Sequence, residues 1–155
     1  MASQTTTWYD NTNNVSTSAI ENRSTDDGKL RVISDTFTTT SAVTAASQTI
    51  ALCKLPKNAK VVSAELIVPA SVGTSSAKLG VFNINSDGTV GSAIDDDRYG
   101  SGVNLSTAGR KQFITVAADA DYLTTAEVAV VLSPVTTDFA TAIEFGFVIM
   151  YTTGN

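Results

Sequence analysis

Between Leu52 and Val68 the chain reads LCKLPKNAKVVSAELIV, three lysines around one proline followed by a clean apolar alternation. Proline holds its own φ near about −65° and biases the residue before it towards extended backbone. A strand ending at Leu55 must therefore turn at Pro56. Lys57-Asn58-Ala59-Lys60 is short and polar, with Asn58 suited to a turn, and Val61 opens the next strand. Strict alternation predicts Val62, Ala64, Leu66 and Val68 on one face, with Val61, Ser63, Glu65 and Ile67 opposite. Upstream, the same rule puts Ile50, Leu52 and Lys54 on one face, and Thr49, Ala51 and Cys53 on the other. Two strands meeting at a lysine-rich corner are the first sign of an all-β fold.

Further strand signals recur at short spacing on both sides of this corner. RVISDTFTTT offers Val32 and Phe37 as core contacts, and AKLGVFNI is apolar on both faces, which predicts a strand inside a sheet. RKQFITV and AEVAVVLSPV read as two more strands, while the glycine-rich DRYGSGVNLSTAG reads as irregular. The chain closes on ATAIEFGFVIMYTT, with Ile143, Phe145, Phe147, Ile149 and Tyr151 in one stripe. So much apolar surface on an edge strand would invite aggregation, so this strand belongs at the centre of a sheet. Helical signals are confined to short turns near Tyr122 and in NLSTAG. The expected fold is an antiparallel β-sandwich of jelly-roll-like topology over residues 30–155. Residues 1–29 lack any period of 2 or 3.6 and read as an extended polar N-terminal arm, whose adjacent Trp8 and Tyr9 are candidate anchors on a partner or a neighbouring subunit.

Composition narrows the function classes. Charged residues are 16% of the 155, and the remaining polarity is carried by Thr, Ser and Asn, a profile suited to pleated, half-buried surfaces. Through Lys111 ten bases balance ten acids, and beyond it five acids stand alone, giving the net charge of −5. A net acidic domain repels phosphate backbones, so no nucleic-acid partner is expected. No apolar run approaches the roughly 20 residues that span a bilayer, and the first residues do not resemble a secretory signal, so no membrane partner is expected. A single cysteine, Cys53, allows no intrachain disulfide and points to folding in a reducing cytosol.

The chemistry of catalysis is poorly supplied. Histidine is absent, which removes the commonest general base and metal ligand and every Ser-His or Cys-His arrangement. Cys53, between Leu52 and Lys54, reads as a buried structural thiol. Asp95-Asp96-Asp97 is a possible calcium or paired-carboxylate cluster, and Asn83, Asn85, Asp87 and Gly88 match the first half of an EF-hand loop. The match fails where Ile94 replaces the bidentate glutamate, so Asp87-Gly88 reads as a hairpin turn. No enzyme activity, metal or cofactor is expected. Lys54, Lys57 and Lys60 read either as a solvated corner or as a basic patch that meets an acidic surface.

The run TIALCKLPKNAKVVSAELIVPA, then AKLGVFN, DRYGSGVNLSTAGR and TTAEVAVVLSPVTTDFATAIEFGFVIMYT, resembles the capsid decoration (cement, head-stabilising) proteins of tailed bacteriophages over residues 47–152. The resemblance is one of layout, and the arm lies outside it. It implies a non-enzymatic virion protein on the outer capsid surface that binds the major capsid protein, bridges capsomers and associates with itself. A homotrimer is expected, with a dimer as the next choice. Trp8, Tyr9, Lys54, Lys57 and Lys60 are the expected partner contacts. Rival readings are a tail, fibre or head-completion protein, or a carbohydrate-binding module using Tyr99 with Asp97 or Tyr122 with Asp121.

Overall fold

The computed structural model describes residues 4–5, 30–45, 47–69, 72, 75–115 and 121–154. Nine strands appear in chain order: β1 (Gln4–Thr5), β2 (Leu30–Thr38), β3 (Ile50–Leu55), β4 (Ala59–Val68), β5 (Ser76–Ile84), β6 (Val90–Asn104), β7 (Gly109–Gln112), β8 (Val128–Pro134) and β9 (Glu144–Thr153). Among the described residues no helix occurs. The sheets run β2-β9-β4-β7 and β1-β3-β8-β5-β6, antiparallel throughout except for the short β1–β3 pair, Gln4↔Ile50 and Thr5↔Ala51. With β1 set aside and the rest renumbered from β2, the orders become 1-8-3-6 and 2-7-4-5. Each sheet draws alternately from the two halves of the chain, the interleaving that defines an eight-stranded jelly roll. The fold is an all-β sandwich of that topology.

One apolar core lies between the sheets. β9, flanked by β2 and β4, contributes Phe145, Phe147, Ile149 and Tyr151, the stripe expected from its sequence. Phe145 stacks on Phe37 at 5.3 Å between ring centroids and meets Phe139 at the same separation. β5 sits inside its sheet between β8 and β6, as its two-sided apolar sequence demands, and all of β8 is buried. Thr39 ties the end of β2 to the turn before β9. Its Oγ1 donates to the Ala140 carbonyl (2.7 Å) and accepts from the Ile143 N–H (2.9 Å).

Four sequence expectations about strand phase and extent are corrected. In β2, Ile33 rather than Val32 faces the core with Phe37, and Val32 is 57% exposed. Positions 32 and 37 differ by an odd number, so a regular strand cannot turn both inwards. In β3 the register shifts between Ala51 and Cys53, and in β4 between Val61 and Ser63. Each shift inserts one unpaired residue and reverses the alternation beyond it. Cys53 and Leu55 therefore join Ile50 and Leu52 in the core, while Lys54 turns away. In β4, Ala59, Val61, Ala64, Leu66 and Val68 face inwards and Val62 is left 51% exposed. Finally, the glycine-rich segment expected to be irregular belongs largely to the 15-residue β6. Its bulged ladder with β5 explains why it carries no clean period.

The shift at Val62 gives an expectation opposite to simple alternation. Val61→Ala should lower the unfolding free energy by roughly 2 kcal/mol, and Val62→Ser should leave it within about 0.5 kcal/mol. Chemical denaturation of the two variants checks this, and the reverse order of effects would show that the bulge is absent.

Candidate functional site

The lysine corner is the feature the sequence singled out, and a threonine from elsewhere in the chain builds it. Asn58 adopts φ 62°, which reverses the backbone after Pro56. Thr124 lies against this turn, fully buried. Its Oγ1 donates to the Pro56 carbonyl (2.6 Å) and accepts from the Ala59 N–H (2.8 Å). Its backbone N–H donates to the Ala59 carbonyl (3.0 Å), and its carbonyl accepts from the Asn58 N–H (2.8 Å). Gly154 donates to the Asn58 carbonyl (2.9 Å). The corner is a fixed platform rather than a loose loop.

The three lysines do not converge on it. Lys57 is exposed at the tip. Lys60 is ion-paired with Asp121 at 2.8 Å, and the Lys60 hydrogen bond and charge hold the Asp121 carboxyl below the usual carboxylate range. Lys54 is half-buried on β3; burial pushes its ammonium value down, and the Glu127 charge pulls it back up. Each lysine thus faces its own surroundings. Trp8 and Tyr9 lie outside the described residues.

The acidic candidates separate as well. In the β5–β6 hairpin the Asn85 N–H donates to the Thr89 carbonyl (2.9 Å), and Gly88 takes φ 83°. Asp87 Oδ1 accepts from Thr89 N (3.0 Å) and Oγ1 (2.6 Å), while the Asn85 side-chain amide donates to Thr89 Oγ1 (3.0 Å). Asn85 and Asp87 thus close the turn, as expected of a hairpin, and the Asn83 amide donates across the ladder to Ser92 Oγ (3.2 Å). Asp95, Asp96 and Asp97 do bring carboxylate oxygens within 4.8 Å of one another. Asp95 is paired with Arg98 (2.6 Å) and Asp96 with Lys78. Asp97 is pushed up, first by its hydrogen bond with Asp95, then by slight burial and the neighbouring negative charges.

Tyr99 is only 1% exposed and meets the Tyr122 ring edge-on at 6.5 Å. The Arg98 guanidinium lies 5.0 Å from the centre of the Tyr122 ring. Tyr99 is therefore an interior packing residue and not a stacking platform for a sugar. Cys53 is buried, and desolvation pushes its thiol far above the ordinary range, so no thiolate nucleophile is offered there.

A surface the sequence reading missed lies on the outside of the four-stranded sheet. Leu30 and Val32 on β2 and Val62 and Ile67 on β4 are 55%, 57%, 51% and 38% exposed. Half-buried Val148 and Met150 on β9 bridge the two strands, because Val32 pairs with Met150, and Met150 with Ser63. The signal was present in the residue types but hidden by phase, since Val32 was read as a core contact and alternation grouped Val62 with Ala64, Leu66 and Val68.

Two measurements check this description. Thr124→Val removes both side-chain hydrogen bonds of a buried group, and should cost about 2 kcal/mol and lower Tm by roughly 4–8 °C. Carboxyl-carbon NMR titration should place Asp87 and Asp121 below, and Asp97 above, the reference of about 3.9. The two depressed groups add stability above that reference, lost as pH falls through their folded values; raised Asp97 favours the fold only at low pH, and that contribution fades as pH rises through its folded value.

No protein-family model and no curated protein matches the chain. Among solved structures it is similar to a chain from the capsid of Ralstonia phage GP4, at 18% identity and a TM-score of 0.64, over 83% of this chain and 87% of that one. It is also similar to a chain from the capsid asymmetric unit of cyanophage Pam1, at 17% identity and a TM-score of 0.53, over 82% and 86% of the two chains. At such identities the likeness speaks to the fold, and what it establishes is a jelly-roll sandwich shared with these two chains over about four fifths of this one.

Proposed function

We infer that the chain is a non-enzymatic structural protein of a phage virion, a cement or decoration subunit that binds the major capsid protein on the outer surface of the head and bridges capsomers. The observation that carries this reading is the likeness of fold, over 83% and 82% of this chain, to two chains taken from phage capsids. It is supported by Leu30, Val32, Val62 and Ile67, large apolar side chains exposed on one sheet face, because apolar groups gathered on one face mark a surface that a partner covers. A sheet face is flat and rigid, so little side-chain entropy is lost when it docks.

In this reading the apolar face provides the central contact, and Lys57 adds charge at the tip of the corner, with Lys54 and the Lys60–Asp121 pair as separate polar contacts on either side. Trp8 and Tyr9 anchor the arm on a neighbouring subunit. Self-association as a trimer, or failing that a dimer, multiplies weak contacts on a symmetric lattice into avidity. A subunit that binds only the assembled shell stabilises it by mass action.

Purified protein added to heads lacking it should co-sediment with them at a fixed ratio to the shell protein. The paired change Val32→Lys and Ile67→Lys should reduce occupancy about tenfold with Tm unchanged, as expected when a central apolar contact is removed. Trp8→Ala with Tyr9→Ala should also reduce occupancy. Full occupancy by both double variants would reject the assigned contacts, and no co-sedimentation of the unaltered protein would reject the cement role itself.

A further inference from the structure

The outer face of the five-stranded sheet holds a cleft of about 280 Å3, formed by an irregularity in β6. Leu79 pairs with Gly100 and Val81 with Asp95, so two steps along β5 stand opposite five along β6. The surplus residues arch over the sheet. They come down on Gly80, where a Cβ would lie 2.4 Å from the Asp96 carbonyl carbon, an approach only glycine permits. The arch places Asp96 in the cleft wall, ion-paired with Lys78. Bulges of this kind re-aim side chains and recur beside binding sites.

The rest of the lining is mixed in a particular way. Phe82 and Pro134 supply apolar surface, and Gln48 stands at one side with its side-chain oxygen held by the Thr44 N–H at 2.8 Å. Ser133, across the ladder from Lys78, is only 5% exposed, and its hydroxyl has no hydrogen-bond partner. A buried hydroxyl left unsatisfied is uncommon and calls for an explanation. It turns about one bond between staggered positions, so a ligand in the cleft can draw it into a hydrogen bond.

We propose that this cleft binds one neutral pyranose ring of a glycan. Lys78 and Asp96 neutralise each other, so neither an anion nor a cation is favoured without breaking the pair. Side by side they present a donor and an acceptor, the pattern that adjacent ring hydroxyls complement. Phe82 offers the apolar surface that the C–H face of a sugar covers, and Ser133 and Gln48 supply further polar contacts. The volume lies at the lower end of small-molecule sites, which suits one ring rather than several. The site lies on the sheet opposite the one that carries the apolar row, and its existence does not depend on the virion reading.

Saturation-transfer NMR on the full chain with the methyl pyranosides of glucose, galactose, mannose and N-acetylglucosamine, and glycerol as an acyclic control, tests the proposal. At least one pyranoside should show transfer where glycerol shows none. Ser133→Ala should weaken that binding about tenfold while leaving Tm equal or higher, since it removes an unsatisfied buried group. Asp96→Asn should weaken it as well and gives a second variant whose side chain lies at the surface. Absence of transfer from all four sugars, equal transfer from glycerol, or binding unchanged in both variants would overturn the proposal.

Discussion

An unpaired ammonium group cannot be left inside a sandwich core without a large desolvation penalty, and the two strands that meet at Pro56 each carry a lysine in the phase of their apolar residues. Continuous alternation would turn Lys54 inwards with Ile50 and Leu52, and Lys60 inwards with Val62 and Ala64. The register shifts between Ala51 and Cys53 and between Val61 and Ser63 remove both conflicts. One inserted residue on each strand lets the apolar sequence stay inside and both charges leave. Thr124 then fixes the geometry of the turn between them.

The same solution creates the molecule's outer apolar surface. Sending Lys60 outwards also sends Val62 outwards, and the ladders through β9 align it with Met150 and Val32. A device that protects the core therefore leaves a row of apolar side chains on the face of the four-stranded sheet. On a free monomer such a surface is a liability, and on a protein that lives in contact with neighbours it is a means of attachment. The opposite sheet handles its irregularity differently. There β6 carries the surplus residues, and they arch over Gly80 to build a cleft rather than a flat face.

The candidate residues show where sequence reasoning reached and where it stopped. Pro56 and Asn58 identified the corner because their backbone preferences are local. Asp87-Gly88 identified the hairpin for the same reason, and Asn85 and Asp87 proved to be turn-closing groups. The absence of histidine and the burial of Cys53 were both legible from residue type. Tyr99 was not, because an aromatic in a polar, glycine-rich segment looks exposed until it is seen to lie in the core with the Tyr122 ring against it. Nor could the sequence tell that Lys60 meets Asp121, or that Asp96 meets Lys78, since neither pair is near enough in the chain to leave a periodic signal.

Local pattern alone determined that the chain is all-β, that its last strand lies at the centre of a sheet, and that a turn stands at Pro56. Backbone propensity and the two-residue period of side chains are properties of short segments, and they survive in any fold that uses them. Tertiary structure decided the phase of β3 and β4, the exposure of Val32 and Val62, the interior place of Tyr99 and the cleft beside Ser133. The phase of β3 and β4, the exposure of Val62 and the cleft depend on where a strand slips by one or more residues against its partner. β2 keeps an unbroken register, and only its phase against β9 had to be chosen. Both choices are made by the packing of the whole core rather than by the strand itself.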